Sequence, residues 1–385
     1  MKITNFFKKY LKPDIIPLNK IEISQSAIIH HDRLRKQIQP SYQIIPVLKG
    51  NAYGHGLRAI CQILNTIQSE IQMVAVDSFP EYQIVRDQTS CAILMLNETN
   101  HHNYRYFDFS RTSFVVYTLE TVKFLGSLGE QIHIHIFFNT GINREGFQIW
   151  QIDQLATILK QYPNLQIQWV MSHLSSSQSS DQTTNQHQLD LYKQMLAKLK
   201  TQVVCNPQYI HISNTCGMAT IDDPLLTAGR VWLGLYGYTW FDTDHPSYTK
   251  IDWLQPALSL ISMITALQEC VPGDTVGYDQ TYQISQHSKI ALLPLWYYEW
   301  LKRSAWSHRS CLVKWVMAPV RGLISMNLTS IDVTGMQVTR HDPVTIISRD
   351  PNQSNTIPAL ALASGCSIYE VLVWLDVSIR RVVVA

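Results

Sequence analysis

Several features that would point to common protein classes are missing from this 385-residue sequence. Its seven cysteines are scattered and contain no CxxC pair, which argues against a disulfide framework and against a zinc site. No basic block is interleaved with aromatic residues, and the formal charge is only +2, so we expect no nucleic-acid partner. A small neutral or zwitterionic partner suits this charge balance.

Long apolar segments are also missing. No run reaches the roughly 18 apolar residues of a membrane span. The opening residues, MKITNFFKKYLKPDIIPLNK, lack the apolar segment of a secretory signal. Together with the scattered cysteines, these features predict a cytoplasmic protein that does not enter a membrane. Its 46% hydrophobic and 16% charged residues allow a full core and two domains.

Short apolar or β-branched runs, typical of buried strands, recur through the first part of the chain. There are eight, at 43–48, 72–76, 91–96, 113–117, 132–138, 167–172, 209–213 and 230–236. Stretches with helical periodicity separate most of them, at 56–69, 119–128, 150–161 and 186–200. This alternation predicts parallel strands with crossover helices, and a count of eight favours a closed (β/α)8 TIM-type barrel. An open doubly wound sheet is the alternative.

Beyond about residue 245 the pattern changes. Short predicted strands lie at 257–267, 274–284, 289–297, 311–316, 331–338 and 343–348, with Gly, Pro and Asp between them. We therefore predict an N-terminal extension at 1–19, a barrel at 20–248 and an all-β C-terminal domain at 249–385.

Polar residues follow several predicted barrel strands at their carboxyl ends. Lys49 ends the first strand, Arg144 follows the fifth and His173 the sixth, and Asn214 and Thr215 follow the seventh. Working groups of barrel enzymes lie at this end of the strands, so all five are expected on one rim.

These residue types suit one cofactor. A strand-end lysine shielded by apolar neighbours can form a Schiff base with a carbonyl. The donors of SNTCG (213–217), at a helix start, suit a phosphate monoester. Together they meet the requirements of pyridoxal 5'-phosphate, PLP. Taken singly, each has an ordinary explanation: a surface amine for Lys49, a helix cap for SNTCG, and a core histidine for His211.

The motifs resemble those of the alanine racemase family. VLKGNAYGHG (47–56) resembles its PLP-lysine motif VVKANAYGHG, NTGINREGF (139–147) resembles DTGMNRLGF, and HISNTCGMA (211–219) resembles HxANSAG. Further matches follow in family order at 172–177, 228–237, 276–282, 322–334 and 367–382. The resemblance implies a PLP-binding barrel followed by a β-domain, a small amino-acid substrate, and a homodimer in which each chain completes the other's site.

The family resemblance also implies a mechanism and a role. Two bases would interconvert L- and D-alanine: Lys49 on the D face, and Tyr278 of the partner subunit on the L face, oriented by His173. The D-alanine would supply peptidoglycan of the bacterial cell wall.

Further positions take their roles from the same resemblance. Arg230 matches the residue that faces the pyridine nitrogen, and His211 matches the residue packed against the ring. The phosphate positions match Tyr53, Asn214, Thr215, Leu233 and Tyr369. Arg144 and the backbone N–H of Met326 match the clamp for the substrate carboxylate, and Tyr297 matches a tyrosine at the substrate entrance.

Some residues depart from the family pattern. Phe137 stands where many members carry a carbamylated lysine that aligns the carboxylate-binding arginine, so Arg144 needs another partner or an anion. Trp232 replaces a small residue beside the phosphate. Asn139 and Asn327 replace aspartates, and Trp296 and Trp300 replace glycines and should favour a small substrate side chain. A PLP-binding protein with weak activity or another amino-acid substrate is therefore the alternative, and a related barrel-type decarboxylase is a third interpretation.

Overall fold

A computed structural model describes residues 16–32, 37–205, 207–241, 244–295, 297–299 and 309–385. By its internal contacts the chain divides into two compact units. The barrel unit is Ser24–Ala257 with Val383–Ala385, and the β unit is the described sequence up to Ile23 with Leu258–Val382. Residues 20–23, which the sequence analysis assigned to the barrel, lie in the β unit because strand β1 (Lys20–Ser24) pairs there with Leu258–Met263.

Eight parallel strands build the barrel unit. They are β2 (Gln43–Pro46), β3 (Met73–Val76), β4 (Ala92–Met95), β5 (Thr112–Val116), β6 (Ile132–Phe137), β7 (Leu165–Met171), β8 (Tyr209–His211) and β9 (Ala228–Val231). Strands β3 to β8 pair in consecutive order, and β2 pairs with β9. Each of the eight runs predicted from the sequence overlaps one of these strands, although the run at 230–236 shares only Arg230 and Val231 with β9 and continues into a helical turn at Leu233–Tyr236.

Two further sets of backbone hydrogen bonds close the ring. Between β2 and β3, the Leu48 N–H donates to the Ala75 carbonyl at 2.8 Å. Between β8 and β9, the Thr227 N–H donates to Ile210 at 3.0 Å and the Arg230 N–H to Ser213 at 3.1 Å. The (β/α)8 barrel is therefore confirmed over the open sheet.

Helices connect the barrel strands. They are α1 (Gln25–Asp32), α2 (Leu57–Asn65), α3 (Phe79–Gln88), α4 (Leu119–Ser127), α5 (Ile152–Gln161), α6 (Thr183–Lys200) and α7 (Thr215–Thr220). Helix α2 shows why they dock: its buried residues include Leu57, Ile60 and Leu64, which recur at helical spacing. In the described part of the chain, no helix has both the length and the apolar character needed to cross a membrane.

The β unit is rich in short antiparallel strands. They are β10 (Leu258–Met263), β11 (Ala266–Cys270), β12 (Thr275–Val276), β13 (Tyr282–Gln283), β14 (Ser288–Leu293), β15 (Ser310–Val313), β16 (Val316–Pro319), β17 (Thr329–Asp332), β18 (Pro343–Ile347) and β19 (Arg380–Val384). The main sheet has the order β16-β15-β18-β10-β1-β19, and β11-β14-β17 form a second sheet.

This unit is β-rich, as predicted, but it also contains two helices that the description as all-β left out. They are α8 (Ile357–Ser364) and α9 (Ile368–Val373). The Thr356 side chain caps the first by accepting from the Ala359 N–H, and Ser367 forms a capping box with Glu370 at the start of the second.

Candidate functional site

A short helical turn, Lys49–Tyr53, follows β2 and carries the proposed cofactor lysine. We call it the lysine turn. Its backbone is left-handed, with φ of 62° at Gly50 and 50–54° at Asn51, Ala52 and Tyr53. Left-handed backbone costs a non-glycine residue about 1–2 kcal/mol, so surrounding contacts must impose this conformation.

Those contacts come from Asn51 and a neighbouring helix. The Asn51 side-chain oxygen accepts from the Leu57 N–H at 2.8 Å, which caps helix α2. The Asn51 N–H donates to Glu81 Oε1 at 3.2 Å. Glu81 Oε2 accepts in turn from the N–H groups of Asp77 and Ser78 at 3.1 and 3.2 Å. One carboxylate therefore fixes the lysine turn against the end of β3.

The amine of Lys49 faces an acidic neighbour. Its Nζ lies 3.9 Å from Asp77 Oδ1, and its side chain is 42% exposed rather than enclosed by apolar groups. Burial raises the pKa of Asp77; Lys49 opposes that rise, while Glu81 and Glu145 add to it. Lys49 thus lies at the carboxyl end of the barrel within reach of solvent.

Arg230 extends from β9 into the barrel interior, where it is 3% exposed. Its Nη1 donates to His211 Nδ1 at 2.5 Å, and its Nη2 donates to the Ser172 carbonyl at 2.7 Å. Nη2 also lies 3.1 Å from His173 Nδ1. The structure therefore brings Arg230, His173 and His211 into one buried network.

Both imidazoles of this network are neutral. Arginine only donates, so each histidine must accept at Nδ1 and carry its proton on Nε2. Burial, followed by the charge of Arg230, lowers the pKa of His173 to about 3 and that of His211 well below its usual range. Arg230 itself has its pKa lowered to about 10 by burial, so it stays charged at neutral pH.

Asn214 and Thr215 lie at the start of helix α7 and face a glycine-containing turn, Leu233–Tyr236. Asn214 accepts from the Gly217 N–H at 2.8 Å and donates to Ser177 Oγ at 2.7 Å. The Gly234 N–H donates to Thr215 Oγ1 at 3.4 Å. An added Cβ on Gly234 would lie only 2.4 Å from Thr215 Cγ2, so this approach requires glycine.

We call Asn214, Thr215 and Leu233–Tyr236 the cradle. Leu233 is buried in it, and Tyr53 is buried with its ring 5.7 Å from that of Tyr236. The buried Ser213 hydroxyl beside the cradle has no hydrogen-bond partner within the described protein. Backbone amides, a hydroxyl and an unpaired polar group are suited to a phosphate.

Arg144 lies on a compact loop after β6. Asn139 organises that loop, because its side-chain oxygen accepts from the N–H groups of Gly141 and Asn143 at 3.1 and 3.2 Å. The Asn139 amide oxygen thus accepts the same two hydrogen bonds that an aspartate carboxylate could accept at this position. Arg144 is paired with its neighbour Glu145: Nη2 donates to Oε1 at 2.6 Å, and Nε donates to Oε2.

Two departures from the family pattern have visible structural consequences. Phe137 is buried at the end of β6 and packs under Gly146, where an added Cβ would lie 2.7 Å from its Cδ1. Trp232 packs its ring against that of His173, with centroids 5.3 Å apart.

Within the β unit, the loops that carry Tyr278 and Met326 lie close together. An added Cβ on Gly322 would lie 2.3 Å from the Val276 carbonyl oxygen, so the two loops meet at that glycine. The side chains of Tyr278, Met326 and Tyr297 are 64%, 55% and 42% exposed. These three groups are thus open to solvent.

Of the other predicted residues of the β unit, two are described by the structure and two are not. Tyr369 is half-buried in the first turn of α9, and Asn327 is exposed in the turn next to Met326. Trp296 and Trp300, expected to narrow the substrate entrance, lie outside the described residues.

Two acidic residues, Asp77 beside Lys49 and Glu145 beside Arg144, were not singled out from the sequence. Asp77 directly follows β3, so the rule applied to other strand ends could have found it. Glu145 occupies the position of leucine in the motif DTGMNRLGF, and that departure from the motif could have identified it.

Comparisons with known proteins agree with this architecture. The family model for the N-terminal domain of alanine racemase matches residues 23–239, and that for the C-terminal domain matches residues 257–383. Among curated relatives, an alanine racemase of Methanococcus maripaludis is 27% identical and covers 94% of this chain and 97% of its own length. One of Leptospira interrogans is 28% identical, with coverages of 94% and 95%.

Solved structures show the same fold. An alanine racemase of Clostridium difficile matches with a TM-score of 0.87 at 22% identity, covering 96% of this chain and 97% of that one. One from Bartonella henselae, described with covalently bound pyridoxal phosphate, matches with a TM-score of 0.80 at 19% identity, covering 96% and 100%.

Proposed function

This chain belongs to the alanine racemase family, and from that premise we propose that it interconverts L- and D-alanine with PLP as its cofactor. The observation that carries the proposal is the shared location of Lys49, the Arg230 network and the cradle at the carboxyl ends of the barrel strands. Those three elements supply an amine, a guanidinium with paired N–H donors, and hydrogen-bond donors for a phosphate.

The residues fit the cofactor group by group. Lys49 would bind its aldehyde carbon, and the cradle residues Asn214, Thr215 and Leu233 would bind its phosphate together with Tyr53. Arg230 and His211 would contact its ring, and the family resemblance assigns Tyr369 to the phosphate as well. When bound, PLP draws electrons from the substrate Cα and so acidifies the Cα–H bond.

Proton transfer requires a base on each face of the substrate Cα. We assign Lys49 to the D face and Tyr278 of the partner subunit to the L face. The Tyr278 side chain is 64% exposed in the single chain, which supports a role in completing the site of a second copy. This arrangement implies a homodimer with shared sites.

Arg230 and His173 keep the charge distribution of the site fixed. A guanidinium only donates, so Arg230 would leave the pyridine nitrogen of the bound cofactor unprotonated and would limit electron withdrawal into the ring. This favours return of a proton to the substrate Cα over side reactions. His173, held neutral by burial and by the Arg230 donor, presents its Nε2–H to orient Tyr278 of the partner subunit.

The substrate carboxylate is assigned to Arg144 and the backbone N–H of Met326, and Tyr297 lines the substrate entrance. A planar guanidinium matches a carboxylate in two parallel hydrogen bonds. The product D-alanine would serve peptidoglycan synthesis. We place the reaction in the cytoplasm, a compartment supported by seven free thiols.

Chiral chromatography of L-alanine incubated with the full-length protein and PLP tests this proposal. We expect L-to-D conversion that is abolished in Lys49→Ala and strongly reduced in Tyr278→Phe. Tyr298→Phe, which removes another exposed hydroxyl, is the control and should retain activity.

Absence of L-to-D conversion by the wild type would refute the proposal. A visible absorption band that depends on Lys49, combined with negligible turnover, would instead favour the alternative of a PLP-binding protein with weak activity. That alternative is motivated by Phe137, by Asn327 and by the ring of Trp232 against His173.

A further inference from the structure

We propose that Glu145 is a positioning residue, which holds the Arg144 guanidinium in place for the carboxylate of the substrate. The inference rests on the proposed function, because it assigns a second residue to the same clamp. It concerns a carboxylate at a position where the resembled motif DTGMNRLGF has leucine.

The geometry of the pair leaves Arg144 able to bind a second carboxylate. Glu145 occupies the side edge of the guanidinium, with Oε1 2.6 Å from Nη2 and Oε2 in contact with Nε. Arginine has five N–H donors, so both donors of Nη1 and the second donor of Nη2 are not used by Glu145. One N–H of Nη1 and the second N–H of Nη2 form the end-on edge, which suits a bidentate carboxylate.

The pair is electrostatically coupled to the proposed reaction site. Asp77, whose carboxylate is 3.9 Å from Lys49 Nζ, has a pKa influenced by the charges of both Arg144 and Glu145. Burial raises the pKa of Tyr117 and lowers that of Arg230, and in both cases the charge of Glu145 shifts the pKa upward. Its side chain is 20% exposed against 62% for Arg144, so Glu145 is the more enclosed member of the pair.

The backbone that carries Glu145 is fixed by main-chain pairing. Phe138 and Phe147 form a parallel bridge, the Phe147 N–H donates to the Phe137 carbonyl at 2.8 Å, and the Asn139 N–H donates to the Phe147 carbonyl at 2.9 Å. Gly146 packs on Phe137, whose side chain offers no polar atom to the arginine. The loop is thus supported by an apolar contact, while Glu145 supplies the charge.

An ion pair whose arginine is largely exposed contributes little to stability, so the expected effect of Glu145 is on orientation. A free Arg144 would sample many rotamers, and a ligand would have to order them. Pairing with Glu145 removes that freedom before the ligand arrives.

The test measures binding of propionate, a carboxylate without an amine, to the full-length cofactor-loaded protein by calorimetry. For Glu145→Gln we expect about tenfold weaker propionate binding and a comparable rise in the KM for alanine, with kcat within about twofold of wild type. Glu145→Asp, which keeps the charge, should recover part of the loss.

The sign of the result separates positioning from simple charge. Removal of a negative group by itself would strengthen binding of an anion, so weaker binding by Glu145→Gln requires lost alignment. The control is Asp87→Asn, because Asp87 pairs with the adjacent Arg86 on helix α3 in the same sequence relation. It should leave propionate affinity and KM unchanged.

Propionate affinity in Glu145→Gln that equals or exceeds the wild-type value would overturn the inference. So would a wild-type protein that binds propionate no better than Arg144→Ala does. If propionate binding depends on Glu145 as expected but no D-alanine is formed, the proposed racemisation fails while the positioning role of Glu145 stands.

Discussion

Replacement of Gly234 by alanine tests the cradle by adding one methyl group. The new Cβ would lie 2.4 Å from Thr215 Cγ2 and 3.0 Å from Thr215 Oγ1, far inside normal contact distance. Overpacking of this kind costs about 1–3 kcal/mol. Alanine also has fewer backbone conformations than glycine in the unfolded chain, which stabilises the folded state by about 0.4–1 kcal/mol where the folded backbone tolerates alanine. Because a 2.4 Å contact is severe, we take the upper half of that cost and expect a net loss of about 1–2.5 kcal/mol in the free energy of unfolding.

The same methyl group should disturb cofactor binding. Relief of the contact moves Thr215 away from the Gly234 N–H, and loss of one hydrogen bond to a charged group costs about 1.5–3 kcal/mol. We expect PLP affinity to fall by at least about tenfold. Urea unfolding followed by tryptophan fluorescence gives the stability, and absorbance titration with PLP gives the affinity.

A second substitution identifies the atom responsible. Thr215→Ser removes Cγ2, the closest atom, and keeps the hydroxyl, so Gly234→Ala combined with Thr215→Ser should regain much of both losses. If the double variant is no better than the sum of the single changes, the contact with Cγ2 is not the cause. Wild-type stability and affinity in Gly234→Ala would refute the cradle geometry itself.

Two further predictions concern buried basic side chains of the barrel unit, His31 and Arg230. Burial lowers the pKa of His31 to about 4, with Nδ1 2.8 Å from the Leu235 carbonyl and Nε2 accepting from the Gln255 N–H. Stability should therefore fall by about 3 kcal/mol as the pH drops from 6.5 to about 4, and His31→Gln should remove that part of the slope in pH-dependent urea unfolding. Arg230→Lys keeps the charge but loses the fork, so unfolding measurements should show a loss of at least about 2 kcal/mol; unchanged stability would contradict the network.

Much of the barrel could be predicted because its signals are local. Each parallel strand is buried on both faces and reads as a short apolar run, and each crossover helix has its own periodicity. The rim positions of Lys49, His173 and Asn214 followed from one rule about strand ends.

Features that depend on contacts between distant parts of the sequence could not be predicted from local signals. Strand β1 pairs with β10, more than 200 residues later, and nothing in KIEIS specifies that partner. Helices α8 and α9 do have local signals in the sequence, namely the cap Thr356 and the Ser367–Glu370 capping box. They were not predicted because the surrounding sequence alternates between short strands and turns.

The candidate site shows the same division between local and distant information. The motifs located Lys49 and Arg144, but the charges around them depend on tertiary packing. The carboxylate of Asp77 is brought to Lys49 by the pairing of β2 with β3, and Glu81 reaches the lysine turn from helix α3. Such contacts join residues about 30 positions apart in sequence.

The left-handed lysine turn makes presentation of the amine a late event in assembly. Ala52 and Tyr53 have no intrinsic preference for that handedness, so a partly folded barrel would let the segment relax and carry Lys49 elsewhere. Helix α2, helix α3 and the end of β3 must all be in place before the amine is held. Cofactor capture would then act as a check on folding, because only chains with an intact barrel would be loaded.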